Sequence, residues 1–270
     1  MKKEFQLYIV PTPIGNIEDV TLRAIDILKS VDIIACEDSR ITQKLLYRYD
    51  IKTKLISYHK FNEKQRVNLL LKLLKEGKKI ALVSDAGTPL ISDPGSILIS
   101  ELGLNGINFT ALPGACAVPT FLSQVPRDGE DFAFIGFLPK TKGQIFAILQ
   151  KFAHTNLVFY ESPNRLLKTL EGINEFNPKA KVAVGRELTK VFEEIVIDKV
   201  QNVIEYYKAN PLKGEIVVMV YKKESTEFCQ TEILEKIELL KRKKFGAKDI
   251  STILAELYDL NKNDIYKIII

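Results

Sequence analysis

The stretch IALVSDAGTPLISDPGS, residues 80 to 96, decides the fold of this chain. It begins as a short apolar run and then places glycine or proline four times within nine residues, at Gly87, Pro89, Pro94 and Gly95. An apolar run that stops at an acid and a glycine is typical of the carboxyl edge of an open α/β sheet, where such folds bind ligands. The stretch therefore predicts a strand followed by a ligand-binding loop.

Similar units precede and follow this stretch in the first half of the chain. Strand patterns alternate with helical patterns, and the strands fall at 5–10, 32–37, 55–58, 79–84 and 107–113. Such alternation predicts a mainly parallel sheet with its connections on both faces. The fold class is therefore α/β.

The second half predicts a different sheet, and the end of the chain predicts helices. Strand patterns recur at 132–138, 157–162, 181–188, 193–200 and 215–221, and the period-2 stretch EEIVIDKV favours an antiparallel portion. After Thr231 the pattern is helical, and two short helices joined at Asp259 to Asn263 resemble a helix-turn-helix. We expect two α/β domains, 1–127 and 128–226, and a helical appendage, 227–270.

Composition excludes several classes of protein. Apolar residues make up 46% of the chain and charged residues 27%, while the net charge of +5 favours polyanionic partners. The cysteines Cys36, Cys116 and Cys229 have no metal-ligand spacing, and only two histidines are present, so we expect no metal site. The first ten residues do not resemble a signal peptide and no apolar run could cross a membrane, so we expect a cytoplasmic protein.

Three loops combine proline with glycine after predicted strands, at 11–15, 84–95 and 113–117. Neither G-x-G-x-x-G after the first strand nor G-x-x-x-x-G-K-[ST] is present, so common nucleotide signatures are absent. Proline fixes one backbone angle and glycine permits close approach, so each loop is suited to presenting backbone to a ligand. Asp85 and Asp93, in the longest loop, could accept hydrogen bonds from ribose hydroxyls or an amino group. Plain βα turns are the alternative for each loop alone, but together they predict one pocket.

Seven segments carry a family resemblance, spread over residues 8 to 190. They are, in chain order, PTPIGNIEDVTLRAIDIL, CEDSR, SDAGTPLISDPG, LPGACA, IGFLPK, FYESPNRL and VGRELTK. In this series the chain resembles the tetrapyrrole methylase superfamily of S-adenosylmethionine-dependent methyltransferases, and within it the branch that methylates ribosomal RNA of the small subunit. The resemblance implies two α/β domains with S-adenosylmethionine in the cleft between them, in a homodimer.

Carried over residue by residue, the resemblance implies cofactor contacts at three first-domain loops and three second-domain positions. These residues are Pro11, Ser84, Asp85, Ala86, Gly87, Thr88, Pro113, Ala115, Cys116, Tyr160, Arg186 and Gly214. The triplet at 87–89 reads GTP where many tetrapyrrole-specific members have GDP-x-x-Y. This departure favours the RNA branch.

The implied reaction transfers a methyl group to the ribose 2'-hydroxyl of a cytidine in 16S ribosomal RNA. Glu187 and Glu161 are candidate general bases because each ends a second-domain strand near an arginine. Structural ion pairs with Arg186 and Arg165 are the equally open alternative for both. The open alternatives for the whole protein are a precorrin-type C-methyltransferase and a non-catalytic RNA-binding or assembly factor on the same fold.

Basic and aromatic side chains are expected to contact 16S ribosomal RNA or the small ribosomal subunit. Phe137 or Tyr160 could stack on a splayed base, with a core position as the alternative for Phe137. For Arg242 to Lys244, here called the tail cluster, the alternative is a solvated edge of a helix. The candidate phosphate contacts are Arg23, Arg40, Arg165, Lys190, Arg242, Lys243 and Lys244.

Overall fold

The computed structural model describes residues 4–127, 129, 131–211, 213–223, 230–258 and 260–270. For 230–232 it describes the backbone alone. Two five-stranded sheets and a group of helices near the carboxyl end form the architecture of these described residues.

The first sheet is entirely parallel, as the alternation predicted. Its strands are β1 (Leu7–Ile9), β2 (Ile33–Cys36), β3 (Lys54–Ser57), β4 (Ile80–Val83) and β5 (Phe109–Ala111), in the order β3-β2-β4-β1-β5. The connecting helices are α1 (Leu22–Ser30), α2 (Ser39–Arg48), α3 (Glu63–Lys75), α4 (Ser96–Leu104) and α5 (Ala117–Leu122). Helices α1 and α2 pack on one face and α3 and α4 on the other, so both faces are covered.

The second sheet is mixed, which confirms the prediction from its period-2 stretch. Its strands are β6 (Phe132–Phe137), β7 (Asn156–Glu161), β8 (Lys181–Arg186), β9 (Glu194–Lys199) and β10 (Ile216–Val220), in the order β6-β7-β10-β8-β9. Only β6 and β7 pair in parallel. One face packs against α6 (Lys142–Lys151), α7 (Pro163–Phe176) and α8 (Val200–Ala209).

Helix α5 joins the two sheets. Its Phe121 is fully buried and packs on the face of the second sheet that α6 to α8 leave open. A Cβ at Gly185 on β8 would lie 2.5 Å from the Phe121 ring, so glycine lets the helix approach the sheet. The two sheets belong to one compact unit, Met1–Phe152 with Asn156–Tyr221.

Helices α9 (Gln230–Arg242), α10 (Ala247–Tyr258) and α11 (Lys262–Ile269) form a second unit with Ala153–Thr155. It has its own apolar core, made of Ile233, Ile237, Ile250, Leu254 and Ile265. Three expected features touch positions outside the described residues. These positions are Asp128 at the first expected domain boundary, the second boundary at 226/227, and Asp259 in the expected helix-turn-helix. Both expected domain boundaries stay predictions. Across the described part of the chain, every helix is too short or too polar to cross a membrane.

Candidate functional site: a cleft between the two sheets

The three proline- and glycine-containing loops meet at the carboxyl edge of the parallel sheet. Thr12 and Gly87 exchange backbone hydrogen bonds, with N···O distances of 2.9 and 3.0 Å. The Thr88 hydroxyl donates to the Ala115 carbonyl oxygen at 2.9 Å, which ties the second loop to the third. A Cβ at Gly114 would lie 2.6 Å from the Pro11 Cβ, so the third loop lies against the first. These contacts hold the loops as one structure.

A cleft of about 390 Å³ lies between these loops and the second sheet. It contains most of the residues that the resemblance implied for the cofactor: Asp85, Ala86, Gly87, Thr88, Cys116, Tyr160 and Gly214. Gly87 has φ +79°, a conformation that favours glycine, and its backbone faces the cleft without a side chain. The volume falls in the range of about 300–1,000 Å³ that small-molecule sites occupy.

The remaining implied cofactor residues are not among those that line the cleft: Pro11, Ser84, Pro113, Ala115 and Arg186. The Ser84 hydroxyl donates to the Gly87 carbonyl oxygen at 3.2 Å, and Ala115 receives the Thr88 bond. Arg186 lies 3.7 Å from the Glu194 carboxylate. Their positions suit support of the loops and strands more than direct contact with a ligand.

Several cleft residues were not named as cofactor contacts from the sequence. They are Ile14, Ile91, Ser92, Asp93, Phe137, Ser162, Pro163, Leu188, Glu215, Ile216 and Val217, with Glu161 also among the lining residues. Ile91 to Asp93 lie in the loop 84–95, which the sequence predicted as part of one pocket with Asp93 as a hydrogen-bond acceptor. Phe137 was predicted as a ring that could stack on a base.

Asp85, Asp93 and the phenol of Tyr160 have shifted pKa values in the cleft. Burial raises the pKa values of Asp85 and Asp93 above their ordinary values, and for Asp93 the nearby charge of Asp85 adds to this. Burial also raises the pKa of Tyr160, whose ring lies 5.7 Å from that of Phe137. Phe137 is 56% exposed, so the core alternative does not describe its position.

Glu187 lies behind the wall of the cleft, where its carboxylate supports the turn at Gly214. Glu187 Oε1 accepts hydrogen bonds from the Glu215 backbone N–H at 2.9 Å and from Lys190 Nζ at 2.8 Å. A Cβ added at Gly214, which has φ +98°, would collide with this carboxylate. Burial alone would raise the pKa of Glu187, but the bonds from Lys190 and Glu215 lower it overall.

Glu161 is enclosed by hydrogen bonds at the end of β7. Its side chain is 0% exposed and accepts from the Ser162 backbone N–H at 2.8 Å and the Thr169 hydroxyl at 2.7 Å. Arg165 Nη2 lies 3.4 Å from the carboxylate and donates to the Leu138 and Pro139 carbonyl oxygens. These contacts favour a structural task for Glu161 and Arg165, and the roles of base and RNA contact stay predictions.

The other predicted RNA residues lie at several places on the surface. Arg40 forms a salt bridge of 2.5 Å with Asp38 while its side chain stays 86% exposed. Lys190 is paired with Glu187 and Glu215, whereas Arg23 is exposed at the start of α1. Arg242, Lys243 and Lys244 are exposed in the helical unit.

No group of three metal-ligating side chains occurs among the described residues. Cys36 is buried and Cys116 lines the cleft as free thiols. Cys229 lies outside the described residues. The lining of the cleft offers backbone groups, carboxyl groups and aromatic rings.

Comparison with known proteins agrees with this arrangement. The family model described as Tetrapyrrole (Corrin/Porphyrin) Methylases matches residues 6–204. The chain therefore belongs to the tetrapyrrole methylase family of S-adenosylmethionine-dependent methyltransferases.

Within this family the chain is similar to proteins named Ribosomal RNA small subunit methyltransferase I. The one from Buchnera aphidicola is 42% identical over 271 residues, covering 98% of this chain and 96% of that protein. The one from Escherichia coli O157:H7 is 42% identical over 268 residues, covering 97% and 93%. A shorter relative of the same name from Thermotoga maritima is 43% identical over 221 residues, covering 81% of this chain and 99% of that protein.

Solved structures share the fold at low sequence identity. The cobalt precorrin-4 methyltransferase CbiF superposes with a TM-score of 0.60 at 16% identity, covering 79% of this chain and 93% of that chain. A uroporphyrin-III C-methyltransferase from Thermus thermophilus complexed with S-adenyl homocysteine gives 0.57 at 18% identity, covering 79% and 96%. At such identities the superpositions show the fold alone.

Proposed function

We propose that this protein transfers a methyl group from S-adenosylmethionine to the ribose 2'-hydroxyl of a cytidine in 16S ribosomal RNA. The observation that carries the proposal is the 42% identity, over nearly the whole chain, to proteins named Ribosomal RNA small subunit methyltransferase I. The cleft supports it, because loops from the parallel sheet and a turn of the mixed sheet enclose a space of suitable size for the methyl donor.

The residues of the cleft fit S-adenosylmethionine chemically. Backbone groups at 86–88 and 116–117 present hydrogen-bonding atoms, and the Asp85 carboxylate would accept bonds from ribose hydroxyls or an amino group. The rings of Tyr160 and Phe137 supply apolar surface on the opposite wall. When bound, the sulfonium supplies an activated methyl group.

The main catalytic task of the chain is alignment. Holding a hydroxyl in line with an activated methyl group can contribute on the order of 7–11 kcal/mol in favourable cases. A general base would add roughly 10²- to 10⁴-fold. Glu187 and Glu161 remain the proposed bases. The contacts of Glu187, however, favour a role in positioning the turn at Gly214, and those of Glu161 favour a role in positioning Arg165.

Recognition of the RNA would use exposed cations on both units. Arg23 and Arg40 project from the parallel half, and Arg242 to Lys244 lie in the helical unit, where they would neutralise phosphates. We also propose that the enzyme works as a homodimer in the cytoplasm, on 16S ribosomal RNA or on the assembled small subunit.

Nucleoside analysis by mass spectrometry tests the proposed reaction. Small-subunit particles from cells lacking this gene would be incubated with the purified protein and S-adenosylmethionine carrying a deuterated methyl group. We expect one labelled 2'-O-methylcytidine. Label on a base carbon or nitrogen would contradict 2'-O transfer, and tight cofactor binding without transfer to particles or to naked RNA would favour the non-catalytic RNA-binding factor. Transfer to a tetrapyrrole alone would favour the precorrin-type alternative.

A further inference from the structure

A second cavity, here called the side pocket, lies beside the cleft at the carboxyl ends of three adjacent strands. Its volume is about 400 Å³. Residues that follow β2, β3 and β4 line it: Glu37, Asp38, Ser39, Ser57, His59, Lys60, Phe61 and Asp85. Asp85 also lines the cleft, so the side pocket and the proposed methyl-donor site share a wall.

Glu37 is a half-buried acceptor without a donor. Among the described residues it has no hydrogen bond and no ion pair, and the charges that act on it are those of Asp85, Asp93 and Asp38. Burial and these like charges raise its pKa. A ligand that displaces water from this carboxyl group must donate hydrogen bonds to it, since polar groups removed from water are almost always paired.

An aromatic platform lies on the same pocket. The Phe61 side chain is 96% exposed, and its ring lies 6.1 Å from the His59 ring in a T-shaped arrangement. His59 Nδ1 is buried without a hydrogen-bond partner among the described residues. A flat ligand that stacks on Phe61 would remove its apolar face from water, as aromatic rings do in sites for unstacked bases.

The lining selects the chemistry of the ligand. Three carboxyl groups against one cation, Lys60, disfavour a phosphate inside the pocket, and the described residues contain no cluster of three metal-ligating side chains. A flat, neutral ring that carries an amino group would donate a hydrogen bond to Glu37 and stack on Phe61. Carboxylates accept hydrogen bonds from the cytosine N4 amino group in other nucleic-acid complexes.

We infer that the side pocket receives the splayed base of the target nucleotide and selects a base with an exocyclic amino group, through Glu37 and stacking on Phe61. The inference rests on the proposed function, because it places the ribose of that nucleotide at the shared wall and its hydroxyl toward the methyl donor. Enzymes that act on single nucleotides commonly take the base out of its stack into such a pocket.

Mononucleotide binding tests the side pocket separately from methyl transfer. The full-length protein, saturated with S-adenosylhomocysteine, would be titrated with CMP, AMP and UMP by NMR. We expect CMP to bind about tenfold more tightly than UMP, the discrimination that one good base contact provides. Glu37→Gln should abolish or reverse this preference because an amide can donate to the uracil O4, and Phe61→Ala should weaken both nucleotides.

Matched variants outside the pocket control for general effects. Asp26→Asn removes an exposed carboxylate on α1, and Phe192→Ala removes a phenyl ring that is 73% exposed elsewhere. Neither should alter the CMP-to-UMP ratio, and all four variants should bind S-adenosylhomocysteine like the wild type.

The outcomes separate the two proposals. Three results would contradict the proposed role of the side pocket in binding the base. They are equal binding of CMP and UMP, no nucleotide binding, and a preference for CMP that persists in both pocket variants. Tighter binding of AMP than of CMP would support selection of an amino group by Glu37 but would identify the preferred base as adenine. The wild type could prefer CMP, lose this preference in Glu37→Gln, and yet transfer no methyl group to small-subunit particles. That result would support the base-binding role of the side pocket and contradict the proposed reaction.

Discussion

At the scale of single residues, the wall of the cleft depends on a glycine and a carboxylate that fit each other. Gly214 has φ +98°, and Glu187 fills the space where a side chain at 214 would lie. Gly214 was expected as a cofactor residue from the family resemblance, and Glu187 as a base. The sequence could not show their contact, because 26 residues, which include β9 and α8, lie between them in the chain.

Gly214→Ala should weaken binding of S-adenosylmethionine by tenfold or more, on the order of 1.4 kcal/mol. The new methyl group would displace the Glu187 carboxylate and with it the backbone of Glu215, which lines the cleft. Isothermal titration calorimetry measures the affinity. Gly77→Ala is the matched control, because Gly77 has φ +84° but open space around it. Both variants should lose stability through the strained backbone, and equal cofactor affinity in both would contradict the role of the Gly214 contact.

Glu187→Gln should change how stability depends on pH. The folded-state pKa of Glu187 lies below its ordinary value of 4.5, so the charged form stabilises the fold above that pH and this contribution is lost on acidification. The difference in free energy of unfolding between wild type and variant should therefore be largest near about pH 7 and shrink toward about pH 3. Urea unfolding across this range measures it. A difference that is constant with pH would show that the charge of Glu187 contributes nothing.

The same variant separates positioning from base catalysis. A positioning role predicts weaker S-adenosylmethionine binding, whereas a base predicts a lower single-turnover rate at saturating cofactor. Rapid-quench measurement of one methyl transfer distinguishes these results.

At the scale of elements, the strands and the first-domain loops were predictable, but the strand pairing that builds the far wall of the cleft was not. The loop at 84–88 follows β4 directly, and alternation of strands with helices places such loops at one edge. By contrast, β10 inserts between β7 and β8, pairing Val217 with both Tyr160 and Gly185. Such pairing joins segments far apart in sequence, so hydrophobic patterns identify the strands but not their neighbours.

Thr88→Val should loosen the connection between the second and third loops. Loss of the hydroxyl bond to the Ala115 carbonyl should cost about 0.5–1.5 kcal/mol of stability and weaken cofactor binding several-fold. Thr53→Val is the matched control, because the Thr53 hydroxyl donates to the Leu28 carbonyl oxygen at 2.6 Å outside the cleft. Thermal unfolding and calorimetry measure both properties. An equal loss of cofactor affinity in the two variants would show that the loop connection has no specific role.

At the scale of the whole molecule, the helical unit is a separate addition to the methyltransferase unit. It has its own core, and the family model ends at residue 204. A relative of the same name spans only 81% of this chain while matching over 99% of its own length. We therefore expect the helical unit to contribute to RNA binding rather than to methyl transfer itself.

Replacing Arg242, Lys243 and Lys244 together by alanine should weaken binding to small-subunit RNA and lower its salt dependence. Each lost phosphate contact reduces the slope of log K against log salt by about 0.7–0.9. The control removes Lys52, Lys75 and Lys78, which are exposed before β3 and β4, at the edge of the parallel sheet opposite the cleft. Filter binding at several salt concentrations measures the slopes. Equal slopes for both triple variants would assign the tail cluster to a solvated helix edge.

The most direct test of the central claim, that the cleft between the two sheets holds the methyl donor, is a crystal structure of this protein with S-adenosylhomocysteine. We expect the ligand to contact 85–88, Cys116 and 214–217, with its sulfur toward the wall shared with the side pocket. A ligand bound elsewhere, or a cleft that stays empty at saturating ligand, would contradict it.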